Sequence, residues 1–218
     1  MKQPIQLSDH FTYGRLLRFT LPSIGMMIFT SIYGVVDGFF VSNFAGKTAF
    51  AAINLIMPLL MIFSTVGFMF GTGGSALVAK TLGEGDQEKA NRYFSLFVYV
   101  CAALGIVFTV IGMFIAPPVA EALGAEGQML HDAALYSRII LAALPFGVLQ
   151  LLFQSFMITA EKPMLGLWVT VSSGVTNMVM DAVLVTLLPQ EWKLTGAAIA
   201  TALSQTVGGA IPLVYFSR

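Results

Sequence analysis

The chain has 218 residues, of which 57% are hydrophobic and only 10% charged, against about 25% charged in ordinary soluble domains. Its 11 basic and 11 acidic residues cancel, so no net charge invites nucleic acid or an acidic partner. Six apolar blocks lie between the charges, each long enough for a bilayer core that needs roughly 20 apolar residues per helix. They lack the polar face of a soluble helix and the alternation of a barrel strand.

The first block, 19–46, predicts a helix near 15–40; the block's one charged side chain is Asp37, in "SIYGVVDGFF", which a helix would carry far from either end. It follows a polar lead and lacks a small-x-small cleavage site, so it is read as a retained span rather than a signal peptide. Tyr33 stands one turn before Asp37 on the same face, and Pro22 lies within the helix, where a missing donor makes a kink or a hinge. The second helix is expected near 50–80, with Pro58 inside it and an end that protrudes from the membrane. Its "GTGGSA" at 71–76 fits a dinucleotide fingerprint, but that motif has meaning only after a strand. After a membrane helix the glycines serve close packing. "ALVAKT" has Ala79 where a phosphate loop needs glycine, so no ATP site is expected.

A third helix is expected near 92–116, ended by Pro117–Pro118, with Cys101 as a small apolar filler that can form no intrachain disulfide. The acidic connection "APPVAEALGAEGQMLHD" leads to a fourth near 135–159, with Pro145 inside and Gln150 and Gln154 at i, i+4. Pro163 opens a fifth near 163–188 as a first-turn proline. On it Ser173, Asn177 and Asp181 share one face at i, i+4, i+8. The sixth, near 195–216, carries Thr201, Ser204 and Pro212. His10 and His131 sit at membrane edges without ligand-like company, so no metal site is expected of them.

Lys2, Arg15, Arg18, Lys80, Lys89, Arg92, Lys162 and Arg218 fall on one side of this topology, and Lys47, Arg138 and Lys193 on the other. Eight against three places both termini in the cytoplasm. Asp37 and Asp181 are the acids at membrane depth, where each costs roughly 2.5–3.5 kcal/mol on insertion scales and marks a functional site by default. Tyr33 with Asp37, Gln150 with Gln154, the Ser173 stripe and Thr201 with Ser204 give four helices a polar stripe each. The economical arrangement points all four at one wet interior cavity.

These residues resemble the N-terminal half of a multidrug and toxic compound extrusion (MATE) transporter. The resemblance runs over the whole chain: "VVDGFFVSNFAG", "GTGGSALVAKTLGEGDQEKA", "SSGVTNMVMDAVL" and "TGAAIATALSQ" in order, with Pro22 fifteen residues before Asp37. It implies an all-α integral membrane protein, a six-transmembrane-helix bundle forming one lobe of a twelve-helix, two-lobe transporter in the bacterial cytoplasmic membrane. Asp37, Asn177, Asp181 and Thr201 match the family's cation-binding cluster, taking H⁺ or Na⁺ as coupling ion with no cofactor. Tyr33, Gln150, Gln154 and Ser173 fall where the substrate cavity is lined, and Pro22 is the helix-1 hinge. The implied activity is antiport: inward cation movement drives out amphipathic or cationic organic compounds, with no enzymatic step.

The departure from the pattern is length, since residues 1–218 cover a single lobe. A fragment, a truncated gene, or a half-transporter pairing with a second chain all fit. The expected partners are therefore the bilayer, an organic small molecule, and a missing C-terminal lobe or second chain. Two carboxylates in one poorly hydrated cavity cannot both ionise cheaply, so a proton or cation taken up there changes cavity shape and substrate affinity together. Two rivals are a lipid-linked oligosaccharide flippase, which should line its cavity with Arg or Lys for the pyrophosphate, and a membrane fragment that transports nothing. No basic residue lies mid-span.

Overall fold

A computed structural model describes residues 12–217; Lys2, His10 and Arg218, used above, lie outside the described residues. Among the described residues there are helices and turns but no strand: α1 (Tyr13–Phe40), a π-helical turn (Val41–Ala45), α2 (Lys47–Gly83), α3 (Gln87–Ala122), α4 (Gly127–Thr159), α5 (Pro163–Leu187), a single 3-10 turn (Gln190–Trp192) and α6 (Lys193–Phe216). All six α-helices are long and apolar enough to cross a membrane. The chain is an all-α, multi-pass membrane protein.

Three local expectations need correction. Pro117 and Pro118 do not end α3, which continues to Ala122. Proline's φ is already helical and its cost is a lost donor and a clash one turn back. Here Ala116 and Ala120 are fully buried on either side, so packing holds the last turn in place. The fourth helix starts at Gly127, ahead of its apolar run. Its first turns are amphipathic, burying Ala133, Tyr136 and Ser137, and Gln128 Nε2 donates to Asp132 Oδ1 at 2.8 Å one turn on. Asp37 lies in the last turn of α1 proper, close to the end of that helix rather than far from both ends. The Val41 N–H reaches back to both Asp37 O and Gly38 O, and the chain then widens into the π turn before Gly46, whose φ of 104° breaks it.

The helices pack in a definite order. Central α4 lies against α2, α3 and α6; α5 lies on α6, and α1 lies mainly on α5. Ile56, Leu141, Leu144, Val148, Leu152 and Phe153 fill the centre, nearly or completely buried. In a bilayer such contacts stabilise by close van der Waals fit, because lipid tails are as apolar as leucine. Small residues permit that fit. A Cβ at Gly67 would stand 2.2 Å from the Val148 carbonyl oxygen, and one at Gly209 2.4 Å from that of Phe146. Two of the three "GTGGSA" glycines behave alike: Gly71 abuts the α4 backbone and Gly74 the Phe97 ring, while Gly73 faces open space. At the end carrying the π turn, Gln190 Nε2 donates to the carbonyls of Phe44 and Ala45 at 3.2 and 3.4 Å, tying two elbows together.

Candidate cation and substrate site

The polar stripes of α1, α5 and α6 meet, and α4 adds to them. Near the π-turn end, the Asp37 side chain interacts with Asp181 and Asn177 across the α1–α5 seam. Asp181 and Asn177 are 0% and 2% exposed. Asn177 Nδ2 donates to Thr201 Oγ1 of α6 at 3.4 Å, and the buried Tyr136 of α4 stands beside the same threonine. Four oxygens of this group are buried without a hydrogen-bond partner: Asp37 Oδ1, Asn177 Oδ1 and both carboxylate oxygens of Asp181. An orphaned buried acceptor costs about 1–3 kcal/mol, more when charged. Four together form a cluster of acceptors whose chemistry fits a proton or a cation.

A second polar layer lies deeper along α5. Ser173 Oγ is 2.8 Å from Ser204 O, to which it donates, and 2.9 Å from Ser204 Oγ. Gln150 Nε2 donates to Ser173 Oγ at 3.3 Å. Gln150 needs room: a Cβ at Gly208 would lie 2.4 Å from its amide carbon. Gln154 joins Gln150, Thr170 and Gly208 around a crevice of about 10 Å³, space for about one water molecule. The stripes therefore converge on a packed seam and a crevice, where an open cavity was expected. Tight glycine contacts close the space that polarity alone suggested. Tyr33, half-buried, packs on Phe29 with ring centroids 6.3 Å apart, and its hydroxyl lies within electrostatic reach of Asp37. Pro22 is buried in α1, fifteen residues from Asp37, or about 22 Å along the helix axis.

Two residues of the site escaped the sequence reading. Tyr136, near a helix end, reads as an interfacial anchor; its membership was signalled only by sharing a face of α4 with Gln150, four turns on. Gln205, whose Oε1 is buried without a partner, stands one turn after Thr201 on α6, an i, i+4 spacing that could have found it. Chemically, two carboxylates with amide and hydroxyl oxygens suit a proton or a hard monovalent cation. Among the described residues no three His, Cys, Asp or Glu side chains converge as for a metal centre.

Known proteins with the same pattern can now be set beside this geometry. The MatE family model matches residues 22–183. The chain belongs to the MatE family. Members are transporters, not enzymes. The chain is 28% identical over 217 residues to a multidrug export protein, MepA, of Staphylococcus haemolyticus, covering 100% of this chain and 48% of that protein. MepA of Staphylococcus aureus strain MRSA252 is 25% identical over 203 residues, 93% of this chain and 45% of its own. The chain thus spans about half the length of the curated relatives it matches. Among solved structures, a MATE transporter in the bent conformation superposes with a TM-score of 0.83 at 24% identity, over 92% of this chain and 44% of its own. That likeness establishes the fold: one lobe of a MATE transporter.

Proposed function

We propose that this lobe works in a cation-coupled exporter of amphipathic, cationic organic compounds, with H⁺ or Na⁺ moving inward as the coupling ion. The observation that carries the reading is the buried group of Asp37, Asn177, Asp181 and Thr201, whose carboxylate and amide oxygens lack partners. The kinship with multidrug export proteins supports the direction and the substrate class. Asp37 and Asp181 are the coupling groups, and Asn177 and Thr201 supply neutral oxygens. When Asp37 carries a proton or cation, its repulsion with Asp181 disappears and α1 seats on α5. When it is bare, the pair repels and α1 moves off, bending at Pro22. Tyr33, Gln150, Gln154 and Ser173 line the path that α1 opens and closes. A ligand that prefers one seating shifts the balance, and alternating access requires this differential affinity. The second lobe, or a second chain in its place, completes the path, and both termini of this lobe face the cytoplasm. An oligosaccharide flippase is disfavoured, since no Lys or Arg joins the seam.

The test is Asp37→Asn in a transporter carrying both lobes, with drug accumulation and surface expression measured in cells. The amide keeps size and hydrogen bonding but cannot titrate. Insertion should be unimpaired, easier by up to roughly 2 kcal/mol because a membrane charge is costly, while coupled efflux collapses. In the same cells an impermeant maleimide should reach a cysteine at Glu126 from outside but not one at Glu84. A well-expressed Asp37→Asn protein pumping at the parental rate would reduce Asp37 to a structural acid.

A further inference from the structure

Arg138 is the last charge before the apolar run of α4, which carries none from 139 to 160. Its side chain is exposed, and it takes part in no hydrogen bond, ion pair or ring contact among the described residues. Lys193, on the same side of the bundle, is by contrast engaged, with its Nζ 5.7 Å from the Phe44 ring centroid. The acid nearest in sequence, Asp132, accepts from Gln128 Nε2 at 2.8 Å and lies 3.8 Å from His131 Nδ1. An unpaired guanidinium at the edge of the hydrocarbon is costly, and such groups seek a counter-charge or reach toward the headgroups.

Arg138 stands at one end of a groove of about 440 Å³ between α4 and α6, walled by Ala142 and Phe146 on one side and Ala202 and Thr206 on the other. The Thr206 hydroxyl donates to Ala202 O at 2.8 Å within its own helix, so the guanidinium is the one polar side-chain group of the lining without a partner. From Arg138 to Phe146 the groove runs about 12 Å along α4. It ends where the helices touch, at Gly209 and the Phe146 carbonyl. Ala202 lies ten residues past Trp192, about 15 Å down α6, and an exposed tryptophan in that position marks the interface. The groove therefore opens at hydrocarbon depth, with its charge at the end nearer the interface. It also turns away from the acid cluster. At about 100° per residue, Arg138 stands roughly 160° round α4 from both Tyr136 and Gln154, so the substrate path and whatever completes it lie on the other side.

We propose that this groove holds a phospholipid with an anionic headgroup, its phosphate paired with the Arg138 guanidinium and an acyl chain laid along Ala142 toward Phe146. A guanidinium fork matches two phosphate oxygens, and the alanines leave room for a chain of methylenes. Charge decides the class. Arg138 is positive and no lining residue is negative. Phosphatidylglycerol, a net anion, is matched there; the choline of phosphatidylcholine balances its own phosphate and finds no acid to meet. A free phosphate leaves the apolar part of the groove empty. Seated there, the lipid clamps α4 to α6 one residue from Thr201, and none of this depends on the export reading.

The experiment is native mass spectrometry of the full chain, released from detergent micelles that contain equal amounts of phosphatidylglycerol and phosphatidylcholine. The parent should retain phosphatidylglycerol about fivefold over phosphatidylcholine, the contribution of one basic residue to anionic-lipid binding. Arg138→Gln should bring that ratio to about one. Ala142→Phe, at an exposed position of the groove, should lose the retained lipid while eluting like the parent in size exclusion; if it does not elute so, Arg138→Gln decides alone. Arg92→Gln, at the other end of the bundle, should change nothing, and millimolar inorganic phosphate should not displace the lipid. In a transporter carrying both lobes the preference should persist. Equal retention of the two lipids by the parent, a preference that survives Arg138→Gln or a well-folded Ala142→Phe, its loss with Arg92→Gln, or displacement by inorganic phosphate would each overturn the proposal. So would its loss from the two-lobe transporter, since the other lobe would then be what covers the groove.

Discussion

α4 and α1 are both apolar spans of this lobe, yet they are built into it in opposite ways. In the most apolar stretch of α4, 56% of residues are buried inside the protein; in that of α1, 11% are. α4 packs mainly against three helices and also touches α5, whereas α1 leans mainly on α5 and leaves Leu21, Met27, Ile28, Ile32 and Val35 outward. A helix held on one side can shift without opening a core, and a helix held on three sides cannot. Asp37, with its unsatisfied oxygen, is on the loosely held helix, and its partners Asp181, Asn177, Thr201 and Tyr136 are on the fixed ones. On the proposed mechanism, the division gives motion to α1 and reference geometry to the rest.

The strongest way to break that division is to add bulk on each side of it. Gly67→Leu forces a side chain against the Val148 carbonyl oxygen, where even a Cβ would sit at 2.2 Å. Overpacking costs about 1–3 kcal/mol where neighbours can adjust, and backbone adjusts least. We expect no monodisperse protein by fluorescence-detected size exclusion. Gly34→Ala, on α1 with nothing within 4 Å of the new Cβ, should elute like the parent. A folded Gly67→Leu protein would mean that the α2–α4 contact is as loose as α1's.

This division was not legible in the sequence, for a physical reason. The mean hydropathy of the two helices is nearly equal, 1.9 for α4 and 1.7 for α1, because lipid and protein interior select the same side chains. The number and class of helices were readable for the same reason: apolar runs of that length suit little besides a bilayer. Asp37, Asn177 and Asp181 stood out because polar groups at membrane depth are costly and their spacing put two of them on one face. Tyr136 did not, since a tyrosine near a helix end has an ordinary explanation in the interface. That the stripes close into a seam depends on Gly174 and Gly208, whose small size lets Tyr33 and Gln150 approach; spacing on single helices carries no such information.

A milder probe compares the prolines. Pro22 removes a donor from the middle of α1, and proline is about 3 kcal/mol less favourable than alanine in a helix interior. Pro22→Ala should therefore keep or raise thermal stability in detergent while cutting efflux by roughly tenfold in a two-lobe transporter, about 1.4 kcal/mol at the moving step. Pro145 in α4 packs its ring and Cα against Gly105. Pro145→Ala should leave transport per expressed molecule unchanged. Equal effects of the two on efflux would remove the reason for locating the hinge in α1.

The smallest effect should come from the serine pair of the α5–α6 seam, which belongs to the fixed side but is polar. Ser173 donates to Ser204 O at 2.8 Å and receives Gln150 Nε2 at 3.3 Å. Hydrogen bonds between membrane helices are worth about 0.6 kcal/mol on average. For a chain of this size that corresponds to a fall in Tm of about 1–2 °C, which a thermal-shift assay in detergent resolves. Ser173→Ala removes the donor to the carbonyl and the acceptor for Gln150 together. Ser204→Ala removes only a hydroxyl at 2.9 Å and leaves the carbonyl in place, so its effect should be smaller. The double variant should be no less stable than Ser173→Ala alone, because the remaining bond to the Ser204 hydroxyl is already gone. A loss for Ser173→Ala on the scale of Gly67→Leu would show that the seam is held by its polar contacts rather than by packing, and α5 would then have to be counted with the parts that polarity, not shape, fixes in place.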